Sequence, residues 1–206
     1  MARFFVRIAA VALAVAPLMV SGCTASKPSR FYVLTPLEAS KEATGTKGPA
    51  LGVGPVVIPQ YLDRPEIVTR SNDNRLELAE FDQWGGRIGD NITRALAENL
   101  SGLLKTDKVS IYPWTDSSAL TNQISVDITQ FERDQSGAVT LSAFWTIADA
   151  QSGRVLLNGR SNIQKTVAPA AAGATSAYDP IVAAMSEALA SLSQEIAAAI
   201  RTLPAS

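Results

Sequence analysis

The stretch NQISVDITQFERDQSGAVTLSAFWTIADAQSGRVLLNGRSNIQKTV, residues 122–167, alternates apolar and polar residues through three runs and breaks twice. Ile124, Val126 and Ile128 fall on one face of the first run; Val139, Leu141, Ala143, Trp145 and Ile147 fall on one face of the second. A period of two is that of a strand with one buried face. The breaks, DQSG (134–137) and AQSG (150–153), are turn sequences short enough for hairpins. The three runs predict an antiparallel meander.

Upstream the runs are shorter. FYVLTP (31–36) and LGVGPVVIP (51–59) have strand-forming residues closed by proline, and the loop between them, EASKEATGTKGPA (38–50), is too polar and glycine-rich to pack. EIVTR (66–70) and RLELAEF (75–81) flank SNDN and read as a hairpin, with Arg70 and Arg75 solvated beside the turn. KVSIYPW (108–114) is a strand that Pro113 ends.

Two segments have the period of a helix. Trp84, Ile88, Ile92, Ala95, Leu96, Leu100, Leu103 and Leu104 recur at three- and four-residue steps. Asp82 is the expected N-cap, although Gly85 and Gly86 weaken the first turn and move the start toward Arg87. After a small-residue linker, APAAAGATSA (168–177), Asp179 caps and Pro180 opens a second helix striped by Ile181, Met185, Leu189, Leu192, Ile196 and Ile200. The ordinary reading lays it on the sheet; its narrow stripe and alanine-rich opposite face leave a coiled-coil seam as the alternative. The fold expected is a single α/β domain, with a mixed or antiparallel sheet, a C-terminal β meander and two main packing helices.

The N-terminus has a different grammar. Arg3 and Arg7 precede an apolar run over 8–20, too short to cross a bilayer, in the layout of a secretory signal. The run ends in VSGC (20–23), whose Cys23 is the chain's one cysteine. This resembles the lipobox of bacterial lipoproteins, in which the cysteine sulfur takes a diacylglycerol, the signal is cut before the cysteine and the new amine is acylated. Two or three acyl chains on one residue make a durable anchor where one would hold only marginally. Residues 1–22 are then a signal peptide, 23–30 a lipidated tether and 31–203 the domain. Thr24 is not the aspartate that favours inner-membrane retention in that class, which points to the outer membrane, at its periplasmic face.

Composition narrows the chemistry. The chain of 206 residues carries 18 basic and 19 acidic side chains and no histidine. No basic run marks a nucleic-acid surface. Without histidine, and with Cys23 spoken for, Ser-His-Asp and Cys-His catalysis and the usual zinc sites are excluded. No metal or cofactor is expected. Glu80 and Asp82 are the one pair from which a lipid-anchored periplasmic hydrolase could be imagined; a strand end and a helix cap are the plainer reading.

Between Pro59 and Pro65, the residues Tyr61, Leu62, Asp63 and Arg64 sit in a turn whose prolines fix φ. They are candidates for a preformed partner contact, against a tight connection in which Tyr61 and Leu62 cover a core edge while Asp63 and Arg64 pair or cap. Trp114, behind a strand-ending proline, is the tryptophan expected to be partly exposed and joins the candidate contacts; Trp145 is expected in the core.

Four pieces in order, FYVLTPL, GPVVIPQYLDRPEIVTR, LAEFDQW with RALAENLSGLL, and YPW, resemble the PqiC and YmbA type of ABC-transport auxiliary lipoproteins. Relatives typically follow the tryptophan of the third piece with Ala-Glu-Pro-Leu, where this chain has Gly85, Gly86 and Arg87. The resemblance implies a non-enzymatic role beside an MCE-type system, in which an inner-membrane ATPase and permease work with an MCE-family periplasmic protein to move lipid, phospholipid first, between the membranes. It implies that the lipoprotein forms the outer-membrane end of that path, as a single copy or as a homo-oligomeric ring. A structural or assembly lipoprotein of another outer-membrane machine is the alternative.

Overall fold

Strand β6 (Asn122–Arg133) is the spine of an eight-stranded mixed sheet in the computed structural model, which describes residues 27–38, 48–170, 173 and 176–204. The other elements, in chain order, are β1 (Arg30–Tyr32), β2 (Leu51–Val57), β3 (Glu66–Asn72), β4 (Arg75–Trp84), α1 (Ile88–Leu104) and β5 (Val109–Ile111). After β6 come β7 (Ala138–Asp149), β8 (Val155–Thr166) and α2 (Asp179–Arg201). The signal segment, Cys23 and the start of the tether lie outside the described residues, as does most of the 38–50 loop.

The meander forms as its alternation predicts. β7 pairs antiparallel with β6 from Asn122↔Asp149 to Arg133↔Val139, and β8 pairs with β7 from Ala138↔Thr166 to Ala148↔Val155. Because β7 takes one edge of β6 along its length, the other edge is shared. β2 runs parallel to its first half, Leu51↔Asn122 to Val57↔Asp127, and β3 touches its far end at Thr69↔Arg133. β5 extends the sheet beyond β2, and β4 followed by β1 extends it beyond β3.

Helix α1 lies on β2 and β5, α2 lies on β6, β7 and β8, and the helices pack on each other. Ile92, Leu96 and Leu100 of α1 and Leu189, Leu192 and Ile196 of α2 are buried with Ile124, Ile128, Phe131, Leu141 and Ile147 of the sheet. Each such side chain contributes roughly 1.5–3 kcal/mol on removal from water. The α2 stripe is wider than the large residues suggest, since Ala184, Ala188 and Ala197 are buried as well. Small side chains let the helix settle close to the sheet, so the coiled-coil alternative gives way to a helix lying on the sheet.

Three local expectations are corrected. β1 ends at Tyr32 instead of Pro36: beyond it the chain leaves the sheet and crosses the helices, where Thr35 donates its N–H to Ser186 Oγ (3.1 Å) and Leu37 donates to Asn99 Oδ1 (2.7 Å). Asp82 does not cap α1; it belongs to β4, and α1 starts at Ile88 after Arg87, with no side-chain cap. Gly86, at φ +142°, makes the turn between strand and helix in a conformation that side chains resist. Asp179 is likewise inside the first turn of α2, behind Tyr178, with its Oδ1 3.0 Å from the Tyr32 hydroxyl oxygen and no capping bond to the helix.

Trp145 packs against the core but is only partly buried: its indole spans Gly159, where a Cβ would fall 2.2 Å from Cζ2, and its Nε1–H donates to Ser161 Oγ (3.0 Å).

Candidate functional site

The proline-bounded turn folds tightly on itself. The N–H of Leu62 donates to the Pro59 carbonyl (2.9 Å), that of Asp63 to Gln60 (3.2 Å) and that of Arg64 to Leu62 (2.8 Å). Leu62 is buried in the core. The Tyr61 hydroxyl donates to Glu132 Oε2 (2.9 Å), a carboxylate fully out of solvent in β6, and Arg70 Nε binds its other oxygen (2.7 Å). The Arg70 guanidinium also lies 5.9 Å from the Tyr61 ring centroid. Burial, then the Glu132 charge, raises the Tyr61 pKa, which keeps the hydroxyl a proton donor. Arg70 is thus an ion-pair partner and not the solvated residue expected beside SNDN; its hydrogen bond to Glu132 raises its pKa further.

With Tyr61 and Leu62 turned inward, Asp63 and Arg64 form the outer part of the turn. Arg64 Nε pairs with Glu66 Oε2 (3.0 Å), and Asp63 Oδ2 lies 3.5 Å from Arg87 Nη2, just ahead of α1. A cleft of about 490 Å³ is lined by Asp63, Arg64, Pro65, Trp84, Gly86 and Arg87. A second, of about 300 Å³, shares Asp63 and Arg87 and continues along Val56, Ile58 and Tyr112. The Asp63–Arg87 pair is therefore the ridge between two clefts. Trp114 is partly buried over Gly52 and meets the Tyr112 ring edge-on, centroids 5.3 Å apart, so it reaches this region only through Tyr112.

A cluster invisible in the sequence lies next to the turn. Arg30 binds Asp82 through Nε–Oδ1 (2.7 Å) and Nη2–Oδ2 (2.8 Å). Asp82 Oδ1 also accepts from the Tyr32 hydroxyl (2.9 Å) and from Ser176 Oγ (2.8 Å). The hydrogen bond from Arg30 holds the Asp82 carboxyl down at about 2, while burial pushes Tyr32 up to about 12. A carboxylate so firmly ionised lacks the proton that a general acid donates. Glu80 is exposed and no partner in a dyad. No sequence signal marks the cluster, because its members come from β1, β4, the linker and α2.

Turn and cluster are joined through β4. The Trp84 N–H donates to the Pro65 carbonyl (2.7 Å) and the Gly85 N–H to the Tyr32 carbonyl (2.7 Å). The candidate contact surface therefore stands at the pole where residues 27–30 lead into β1. Among the described residues no group of three or more acidic, histidine or cysteine side chains is arranged to hold a metal, and no helix is long and apolar enough to cross a membrane.

A family model described as the ABC-type transport auxiliary lipoprotein component matches residues 32–197, a span that includes the turn, both clefts and most of the cluster. The chain belongs to this family. It is 24% identical over 135 residues to the intermembrane transport lipoprotein PqiC of Escherichia coli K12, covering 65% of this chain and 71% of that one, and the same figures hold for PqiC of Shigella flexneri. The fold of this auxiliary lipoprotein recurs in a crystal structure of a Xanthomonas campestris protein, with TM-score 0.65 and 17% identity over 82% of this chain and 93% of the other. A second, uncharacterised crystal structure gives TM-score 0.65 at 19% identity over 84% and 99% of the two chains. At such identities these structures speak for the α/β fold alone.

Proposed function

We propose that the chain is a non-enzymatic lipoprotein, held at the periplasmic face of the outer membrane by acyl groups on Cys23, that serves an MCE-type ABC transport system moving lipid between the inner and outer membranes. The observation that carries this reading is the family match over 32–197 immediately behind a lipobox-type cysteine. The names of the E. coli and S. flexneri relatives support the intermembrane role. Residues 1–22 are removed, 23–30 form the tether and 31–203 the working domain. Its partners are an MCE-family periplasmic protein with its inner-membrane permease and ATPase. Asp63 and Arg64 meet the partner, Tyr61 and Leu62 hold them in place, and Trp114 adds an apolar contact; the domain works alone or as a ring of identical copies.

The test is a crosslinked pull-down from native membranes, with the tagged chain beside a Cys23→Ala control. Recovery of an MCE-family protein, reduced in the control, is expected. Consistent recovery of subunits of another outer-membrane machine, without any transporter component, would replace the transport role by an assembly role.

A further inference from the structure

Along β1 and the residue that follows it the side chains alternate. Tyr32 points into the Asp82 cluster, while Phe31 and Val33 face away and are 67% and 53% exposed. They are the first two large apolar residues of the described chain, and β1 is the terminal strand of its sheet. They also share one surface. A Cβ on Gly85 would stand 3.3 Å from Val33 Cγ1 and 4.0 Å from Phe31 Cβ, so the absence of a side chain at Gly85 leaves the two residues uncovered. Gly86 follows directly.

Isolated exposed apolar residues are ordinary, but these have a defined distance to a known point. Cys23 is seven residues before Arg30. Even fully extended, that length spans only about 25 Å at ~3.3–3.6 Å per residue. If Cys23 carries the anchor, a lipid leaflet lies within that reach of every copy at all times. A tethered surface meets such a leaflet as an intramolecular event, at high effective concentration, whereas a second copy must arrive by diffusion.

We propose that Phe31 and Val33, with the bare backbone at Gly85 and Gly86 beside them, form a membrane-seating surface that rests on the leaflet holding the anchor. The two apolar side chains enter the interfacial zone. The proposal rests on the anchoring of Cys23, and the experiment separates the two.

The full lipidated chain is prepared with Phe31→Cys or Val33→Cys, and with Phe144→Cys on the opposite side of the sheet from the helices as a control. Acylation occupies Cys23, so the introduced thiol alone takes an environment-sensitive fluorophore. The proteins are reconstituted into vesicles of phosphatidylethanolamine and phosphatidylglycerol, with and without headgroup-depth quencher lipids. Flotation of the vesicles reads the anchor; the fluorophore reads the seat. Probes at 31 and 33 are expected to shift to the blue and lose intensity to the quencher, while the probe at 144 does neither. Flotation with all three probes equally wet overturns the seating surface and leaves the anchor standing. Loss of flotation overturns both. A blue shift at 31 that grows with protein concentration in the absence of vesicles assigns the surface to a second copy and overturns the proposal. Two independent probe positions guard against one substitution disturbing the fold.

Discussion

Arg30 grips Asp82 through two hydrogen bonds, 2.7 and 2.8 Å long, across 52 residues of sequence. The pair also sits in the β1–β4 register, Arg30↔Asp82, so side chains and backbone fix the same alignment. Bidentate Arg–carboxylate pairs add geometric definition to their energy. Here that definition is given to β1, the first strand among the described residues.

Stability at acid pH follows from this pair. The Asp82 carboxyl titrates at about 2 in the folded chain, below the ~3.9 of an unfolded aspartate. Its contribution, roughly 2 kcal/mol, is complete above the unfolded value and is lost as pH falls through the folded one. Thermal melts from pH 5 to pH 2 should show the loss in the parent chain, and Asp82→Asn should be less stable at pH 7 and lose less across that acid window, keeping only the share of Glu66, Asp116, Asp134 and Asp149, whose carboxyls are also held below their usual range.

Glu132→Ala removes the acceptor shared by Tyr61 and Arg70 and leaves a half-buried guanidinium without its carboxylate. Breaking a buried pair from one side costs about 3–5 kcal/mol when both partners are enclosed, and the partial exposure of Arg70 lowers the expectation to about 2–3. Tyr61→Phe, which removes one hydrogen bond, should cost about 1 kcal/mol. Urea denaturation of both single variants and the double variant measures the coupling; additive losses would mean that the turn is held by Leu62 and its prolines alone.

Gly159→Ala places a methyl group 2.2 Å from the Trp145 ring. The ring must move, which breaks the Nε1 bond to Ser161, itself a donor to Glu195 of α2. A loss of about 1–3 kcal/mol is expected for an overpacked contact, together with a red shift of tryptophan emission. An unchanged urea midpoint would show that the ring tilts away without cost.

Asn99 is fully buried in α1, accepting from the Leu37 N–H (2.7 Å) and donating to Ser193 Oγ of α2 (3.1 Å). Asn99→Ala removes the acceptor of the Leu37 N–H and the amide donor to Ser193, whose hydroxyl keeps its bond to the Leu189 carbonyl, and about 1–3 kcal/mol is expected. The Leu37 amide should then exchange its hydrogen faster than neighbouring amides; exchange protection at Leu37 equal to that of the parent chain would contradict its dependence on Asn99.

What the sequence made legible was what short range decides. The 122–167 meander follows from alternation and two turns, and both helix stripes bury where their spacing predicts, except that Trp84 ends β4 instead of joining α1 and Leu103 and Leu104 stay half-buried. Asp82 read as a helix cap, and Arg70 as solvated, because their partners Arg30 and Glu132 stand 52 and 62 residues away. The 31–36 run read as one strand because its apolar content does not reveal that Thr35 and Leu37 would find acceptors on the helices. At the site, the prolines marked a shaped turn. They could not show that half of it faces inward or that β1 lies beside it.

The arrangement around β1 also has a mechanical meaning. If Cys23 carries the proposed anchor, a pull on it enters the domain at Arg30 and, directed along the strand, stretches the three rungs to β4 and the Asp82 clasp together instead of one after another. Behind them the fastenings of Thr35 to Ser186 and Leu37 to Asn99 take up any slack. The domain is stitched most densely where traction from the membrane would arrive, as a cable is seized at its fitting.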